Sequence, residues 1–96
     1  MVTIIAKLIV KPGKEELLAE LFKDMVREVR EKEAGCLMYV PHVAADNPVE
    51  FILMEKYADQ AAFDAHIQTP YFKALAARLK DILAEKMSVQ FMNEIA

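Results

Sequence analysis

Residues 50–57 read Glu-Phe-Ile-Leu-Met-Glu-Lys-Tyr, and this octapeptide decides the architecture. Successive side chains of an extended strand point to opposite faces, so Phe51, Leu53, Glu55 and Tyr57 share one side while Ile52, Met54 and Lys56 share the other. Large apolar groups therefore project both ways. A strand with one face in water would alternate apolar with polar, and this one must be covered on both sides. Residues 2–10 repeat the pattern, with Val2, Ile4, Ala6, Leu8 and Val10 opposite Thr3, Ile5, Lys7 and Ile9.

Outward from these strands the elements fall into a simple order. Lys11-Pro12-Gly13 is a turn, and Leu17, Leu18, Leu21, Phe22, Met25, Val26 and Val29 then recur with helical spacing. Glu15 and Glu16 suit the start of that helix, Arg27 and Arg30 suit its end, and Gly35 is expected to stop it in a left-handed conformation. A strand is expected from about Cys36 to Val43. Asp46-Asn47-Pro48 is expected to turn it into a third strand from about Glu50 to Tyr57. Asp59 is expected to cap a short helix to about Gln68, and Thr69-Pro70 to cap a second that runs to about Lys86. Ser88 to Ile95 alternates as a last strand. The order βαββαβ defines an α+β, ferredoxin-like domain, a four-stranded antiparallel sheet with its helices on one face.

Helices can hide only one face of that sheet. The other would leave several large apolar residues in one patch, whereas burying each stabilises by roughly 1.5–3 kcal/mol. A homodimer packed sheet to sheet is therefore expected. Composition agrees: the hydrophobic fraction of 55% exceeds the roughly 45–50% of ordinary globular chains. At 96 residues the chain fits a single domain, residues 1–96.

Several partner classes drop out. A net charge of −3 without a Lys/Arg cluster gives no footprint for nucleic acid. No stretch approaches the roughly 20 apolar residues that span a bilayer, so no membrane association is expected. The apolar N-terminal run is broken by Lys7 and lacks a preceding basic segment, so it reads as a strand rather than a signal peptide. The lone Cys36 cannot form an internal disulfide, which suits a reducing, cytoplasmic location.

There is no glycine-rich phosphate loop, no cysteine pair and no histidine pair at metal-binding spacing. What remains is Tyr39, His42, Glu55, Tyr57, Phe63, His66 and Tyr71, a set expected to line one cavity between sheet and helices. His66 shares a helix face with Phe63 and Ile67 and points inward. It is either a core histidine satisfied by a backbone carbonyl or a general base beside the tyrosines. Glu55, a lone carboxylate in an apolar strand, needs a partner, a water-lined cavity or an exposed edge. His42 lies just past Pro41 near the hairpin, where a surface position is the simpler expectation. Met54 and the other methionines are adaptable apolar fillers rather than metal ligands, with Met54 retained as a candidate substrate contact. Cys36 reads as a small buried hydrophobe.

The stretch Glu55-Lys56-Tyr57-Ala58-Asp59 followed by AAFDAHIQTPYFKAL (residues 61–75) resembles the hallmark segment of the antibiotic biosynthesis monooxygenase (ABM) family. The opening VTIIAKLIVKPGKEE and the middle AGCLMYVPHV are similar to its quinol monooxygenases. The resemblance implies a dimeric α+β barrel with one pocket per subunit, and oxidation of a quinol or other electron-rich aromatic by O2 with no flavin, haem or metal cofactor. Under that resemblance His66, Glu55 and Tyr71 are the candidate catalytic residues, and Tyr39, His42, Tyr57, Phe63 and Met54 the candidate substrate contacts. Many members carry a tryptophan where Tyr57 stands. The haem-degrading branch uses a Trp and a haem-ligating His at positions corresponding to His66 and Leu75, so that branch does not fit.

Two other functions share these residues. The His-x-x-Thr-Pro stretch is also similar to an isomerase of a small phosphorylated, sugar-like signal molecule, which would need Lys7, Lys56 and Lys73 to converge on a phosphate. A dimeric, non-catalytic binder of small aromatic metabolites would need only an apolar pocket.

Overall fold

A computed structural model describes all residues, 1–96. Its elements are β1 (Val2–Ile9), α1 (Glu15–Lys32), β2 (Cys36–Ala44), β3 (Asn47–Tyr57), α2 (Gln60–Ile67), α3 (Pro70–Ile82) and β4 (Ser88–Met92). The four strands form one antiparallel sheet in the order β2-β3-β1-β4. This is the ferredoxin-like α+β arrangement, with the second helical region broken in two.

Register assigns every strand residue to a face. Ile4 stands opposite Glu55 and Phe91, and Ala6 opposite Leu53 and Val89. These residues, together with Leu8, Phe51, Tyr57 and Tyr39, form the inner face, on which the helices pack. Leu18, Phe22, Met25 and Val29 of α1, and Leu79 and Ile82 of α3, close the core against it. The outer face carries Ile5, Ile52, Met54, Val40 and Met92, with no layer of this chain over it. Met54, Val40 and Met92 are 37%, 36% and 43% exposed.

Local chemistry explains most of the boundaries. The Asp59 carboxylate accepts the Ala62 amide at 2.8 Å and starts α2. The Thr69 hydroxyl accepts the Phe72 amide at 3.2 Å, with Pro70 in the first turn of α3. The same hydroxyl donates to the His66 carbonyl at 2.8 Å, tying the end of one helix to the start of the next. The helix α3 stops at Ile82, short of the expected Lys86, because Leu83 leaves it to bridge Val10. The final strand likewise ends at Met92 rather than Ile95.

Gly35 departs from expectation. Gly13 alone has positive φ, so Gly35 is no left-handed stop. It is small because a Cβ there would lie 2.7 Å from the Ala62 Cβ. Its carbonyl accepts the Ala58 amide at 2.8 Å, so the head of β2, the exit of β3 and the helix bearing His66 meet at this glycine.

Candidate active site

A cavity of about 130 Å³ lies between the inner face and α2 and α3. Its wall is almost wholly apolar, and Tyr39, Glu55 and His66 are its only residues with polar side-chain groups. An engineered apolar cavity of about 150 Å³ accepts benzene, so this space suits one aromatic ring.

Each of the three polar groups arrives from a different element. Alternation along β3 turns Glu55 inward beside Leu53. Tyr39 stands opposite Glu55 on β2. His66 projects from the last turn of α2, 2% exposed, with the Tyr39, Tyr57 and Phe72 rings 5.2–5.6 Å away.

The imidazole is held between two carboxylates. Its Nδ1 lies 2.9 and 3.0 Å from the two oxygens of Glu33, and its Nε2 lies 3.9 Å from Oε1 of Glu55. Tyr57 donates its hydroxyl proton to that Glu55 oxygen at 2.6 Å, and Tyr71 donates to Glu33. Hydrogen bonds thus join Tyr71, Glu33 and His66 on one side of the ring and Tyr57 and Glu55 on the other, with 3.9 Å between Nε2 and Glu55. His66 is buried, and its Nδ1 partner is a carboxylate, not the backbone carbonyl of the purely structural alternative. No three His, Cys, Asp or Glu side chains are grouped to hold a metal ion, since the two carboxylates sit on opposite ring nitrogens.

Burial tunes these groups. Desolvation raises the Glu55 pKa, with the Tyr57 hydrogen bond and His66 opposing it. Desolvation first, and Glu55 second, raise Tyr39 and Tyr57 well above the usual phenol range, so both remain hydroxyl donors. Tyr71 is raised by desolvation and by its bond to Glu33. The Cys36 thiol is pushed up to about 11, chiefly by burial, which disfavours the thiolate.

The candidates from sequence divide by location. Tyr39, Glu55, Phe63 and His66 line the cavity. Tyr57 is fully buried behind Glu55, and Tyr71 reaches the imidazole only through Glu33. Met54, expected as a substrate contact, and His42, expected in the cavity set, are corrected, since neither lines the cavity. Their positions in the strands put both on the outer face, where His42 stands opposite Ile52, its Nδ1 3.3 Å from that carbonyl. The cationic trio is likewise divided. Lys7 and Lys56 are on the outer face and Lys73 on α3, across the sheet. Glu33 was not anticipated. It follows the last turn of α1, belongs to no apolar period, and meets His66 from 33 positions away.

The fold and the site together define a compact α+β domain with a small, largely apolar cavity and a carboxylate-flanked histidine on its wall. Residues 1–78 match the antibiotic biosynthesis monooxygenase (ABM) family, and the chain belongs to that family. It is 34% identical over 103 aligned positions to probable quinol monooxygenase YgiN of Escherichia coli K12, covering 97% of each chain. It is 31% identical over 81 positions to uncharacterized protein sll1783 of Synechocystis, covering 84% of this chain but spanning only about half, 54%, of that longer relative. A solved antibiotic biosynthesis monooxygenase superposes with a TM-score of 0.91 at 27% identity, covering 100% of both chains. No helix is long and apolar enough to cross a membrane.

Proposed function

We propose that this protein is a monooxygenase that oxidises a quinol or a similar electron-rich hydroxyarene with O2, the substrate itself serving as reductant. One observation carries the proposal: a buried imidazole whose Nε2 has no hydrogen bond, on the wall of an almost wholly apolar, ring-sized cavity. Kinship to a relative described as a probable quinol monooxygenase supports it.

Triplet oxygen reacts slowly with closed-shell arenes, and removal of a phenolic proton makes the ring a far better electron donor. In this reading His66 Nε2 takes that proton, the Tyr39 hydroxyl donates to the anion's oxygen, and the Glu55 carboxylate accepts from the substrate's remaining hydroxyl. One electron passes to O2, the radical pair joins as a ring C–O bond, and the peroxide so formed loses water. One oxygen atom remains on the ring, the other leaves in water, and the arene supplies every electron. The apolar wall keeps bulk water from protonating the anion or diverting the reduced oxygen.

The outer face is part of the proposal. A second copy of the chain, packed sheet to sheet, would cover Met54, Val40 and Met92 and make a homodimer. The exposed apolar residues support this reading.

Oxygen uptake with a panel of reduced quinones and catechols, together with transfer of labelled oxygen from O2 into the product, tests the chemistry. Uptake above autoxidation in the wild type, falling on the order of 10²–10⁴-fold in His66→Ala, is expected for a positioned base. Binding of the same arenes without uptake would favour the non-catalytic binder instead.

A further inference from the structure

His66 lies on the wall of one space, and its partner Glu33 on the wall of another. The first is the apolar cavity, and the second is a surface cleft of about 390 Å³ lined by Lys32, Glu33, Gly35, Thr69 and Tyr71. Glu33 lines only the cleft. Its carboxylate faces Nδ1 with both oxygens, while the Nε2 edge of the ring faces Glu55 and the cavity.

An ionised carboxylate accepts hydrogen bonds and cannot donate them. Bonded to Glu33, Nδ1 must carry the proton of a neutral imidazole, which leaves the Nε2 lone pair bare. The proton on the other nitrogen sets the working tautomer of any catalytic histidine. Tyr71 adds direction by donating to Glu33 from α3, so the carboxylate is held by a second element. When Nε2 takes a proton, the resulting imidazolium lies against an anion rather than in an apolar wall. We propose that Glu33 is the positioning residue of this site, fixing His66 with Nδ1 protonated and Nε2 open to the cavity. It does so from a cleft that small solutes can enter.

The test rests in part on the oxygenase proposal, so it needs one arm that does not. With only two histidines in the chain, a ring-nitrogen NMR spectrum is readily assigned by a His42→Gln control on the outer face. Neutral His66 should carry its proton on Nδ1. In Glu33→Gln the Tyr71 hydroxyl takes the single amide oxygen and turns the NH2 group toward Nδ1, so the proton should move to Nε2. Turnover should then fall on the order of 10²–10⁴-fold through kcat, with KM nearly unchanged. Because the cleft is open, formate should restore part of the loss in Glu33→Ala, with saturation. A wild-type spectrum with the proton on Nε2 would overturn the proposal. So would turnover in Glu33→Gln equal to wild type, or loss in Glu33→Ala that formate cannot relieve. Absence of oxygen uptake in the wild type would sink the oxygenase proposal, and the ring spectrum alone would then decide the role of Glu33.

Discussion

Replacing Gly35 by alanine should change the sign of its effect with the residue at position 62. Two terms compete. At a backbone conformation that alanine can adopt, Gly→Ala stabilises by about 0.4–1 kcal/mol by restricting the unfolded chain. Gly35 has no positive φ, so this gain applies. Against it, the new Cβ would lie 2.7 Å from the Ala62 Cβ, an atom fixed to the α2 backbone and unable to swing aside. Overpacking of this kind costs about 1–3 kcal/mol. The clash wins, and the net should be a loss of roughly 1–2 kcal/mol, or several degrees of Tm for a domain of this size. Ala62→Gly alone should cost about 1 kcal/mol as a glycine inside a helix. With Ala62 truncated, the next atom is the Ala62 Cα at 3.8 Å, an ordinary contact. In that background Gly35→Ala should therefore stabilise. Urea unfolding of the four proteins, at one fixed protein concentration because the chain is proposed to dimerise, gives the cycle directly. The same sign in both backgrounds would refute the close-approach account of Gly35.

Two further outcomes follow from the geometry. Because the Glu55 pKa is raised on folding, the native state binds more protons than the unfolded chain between the usual value near 4.5 and the raised one. The favourable contribution is present below that window and is lost as pH rises through it. Glu55→Gln keeps an acceptor for Tyr57 and has no such slope, so its stability relative to wild type should climb across the window in pH-dependent urea titrations, and parallel curves would contradict this. Met54→Lys puts a charge on the uncovered outer face without touching the cavity. It should lower the mass measured by light scattering from dimer to monomer at micromolar concentration, and a wild type that is already monomeric there would defeat the dimer.

The fold was legible because its cues are local. Two-residue alternation marked the strands, and Asp59 and Thr69-Pro70 marked the helix starts. Strand parity also separates two of the candidates from the cavity. Met54 is one residue from Glu55 and must face the other way, and His42 shares the outer face with Ile52. Glu33 is different in kind. Its contact with His66 exists only because α1 ends where α2 passes, a tertiary fact with no periodic trace. Gly35 carried a signal that was misread, since smallness can serve a close neighbour as well as an unusual dihedral.

Strand β3 is hydrogen-bonded along both edges, to β1 and to β2. Loss of a single residue within it would slide everything downstream by one step and exchange the two surfaces, sending the Glu55 carboxylate outward and a neighbour from the opposite side into the pocket. Tolerance in this segment should thus be lopsided: many substitutions survive, but no one-residue deletion does. The flanking partners that lock its register protect the chemistry as much as the fold.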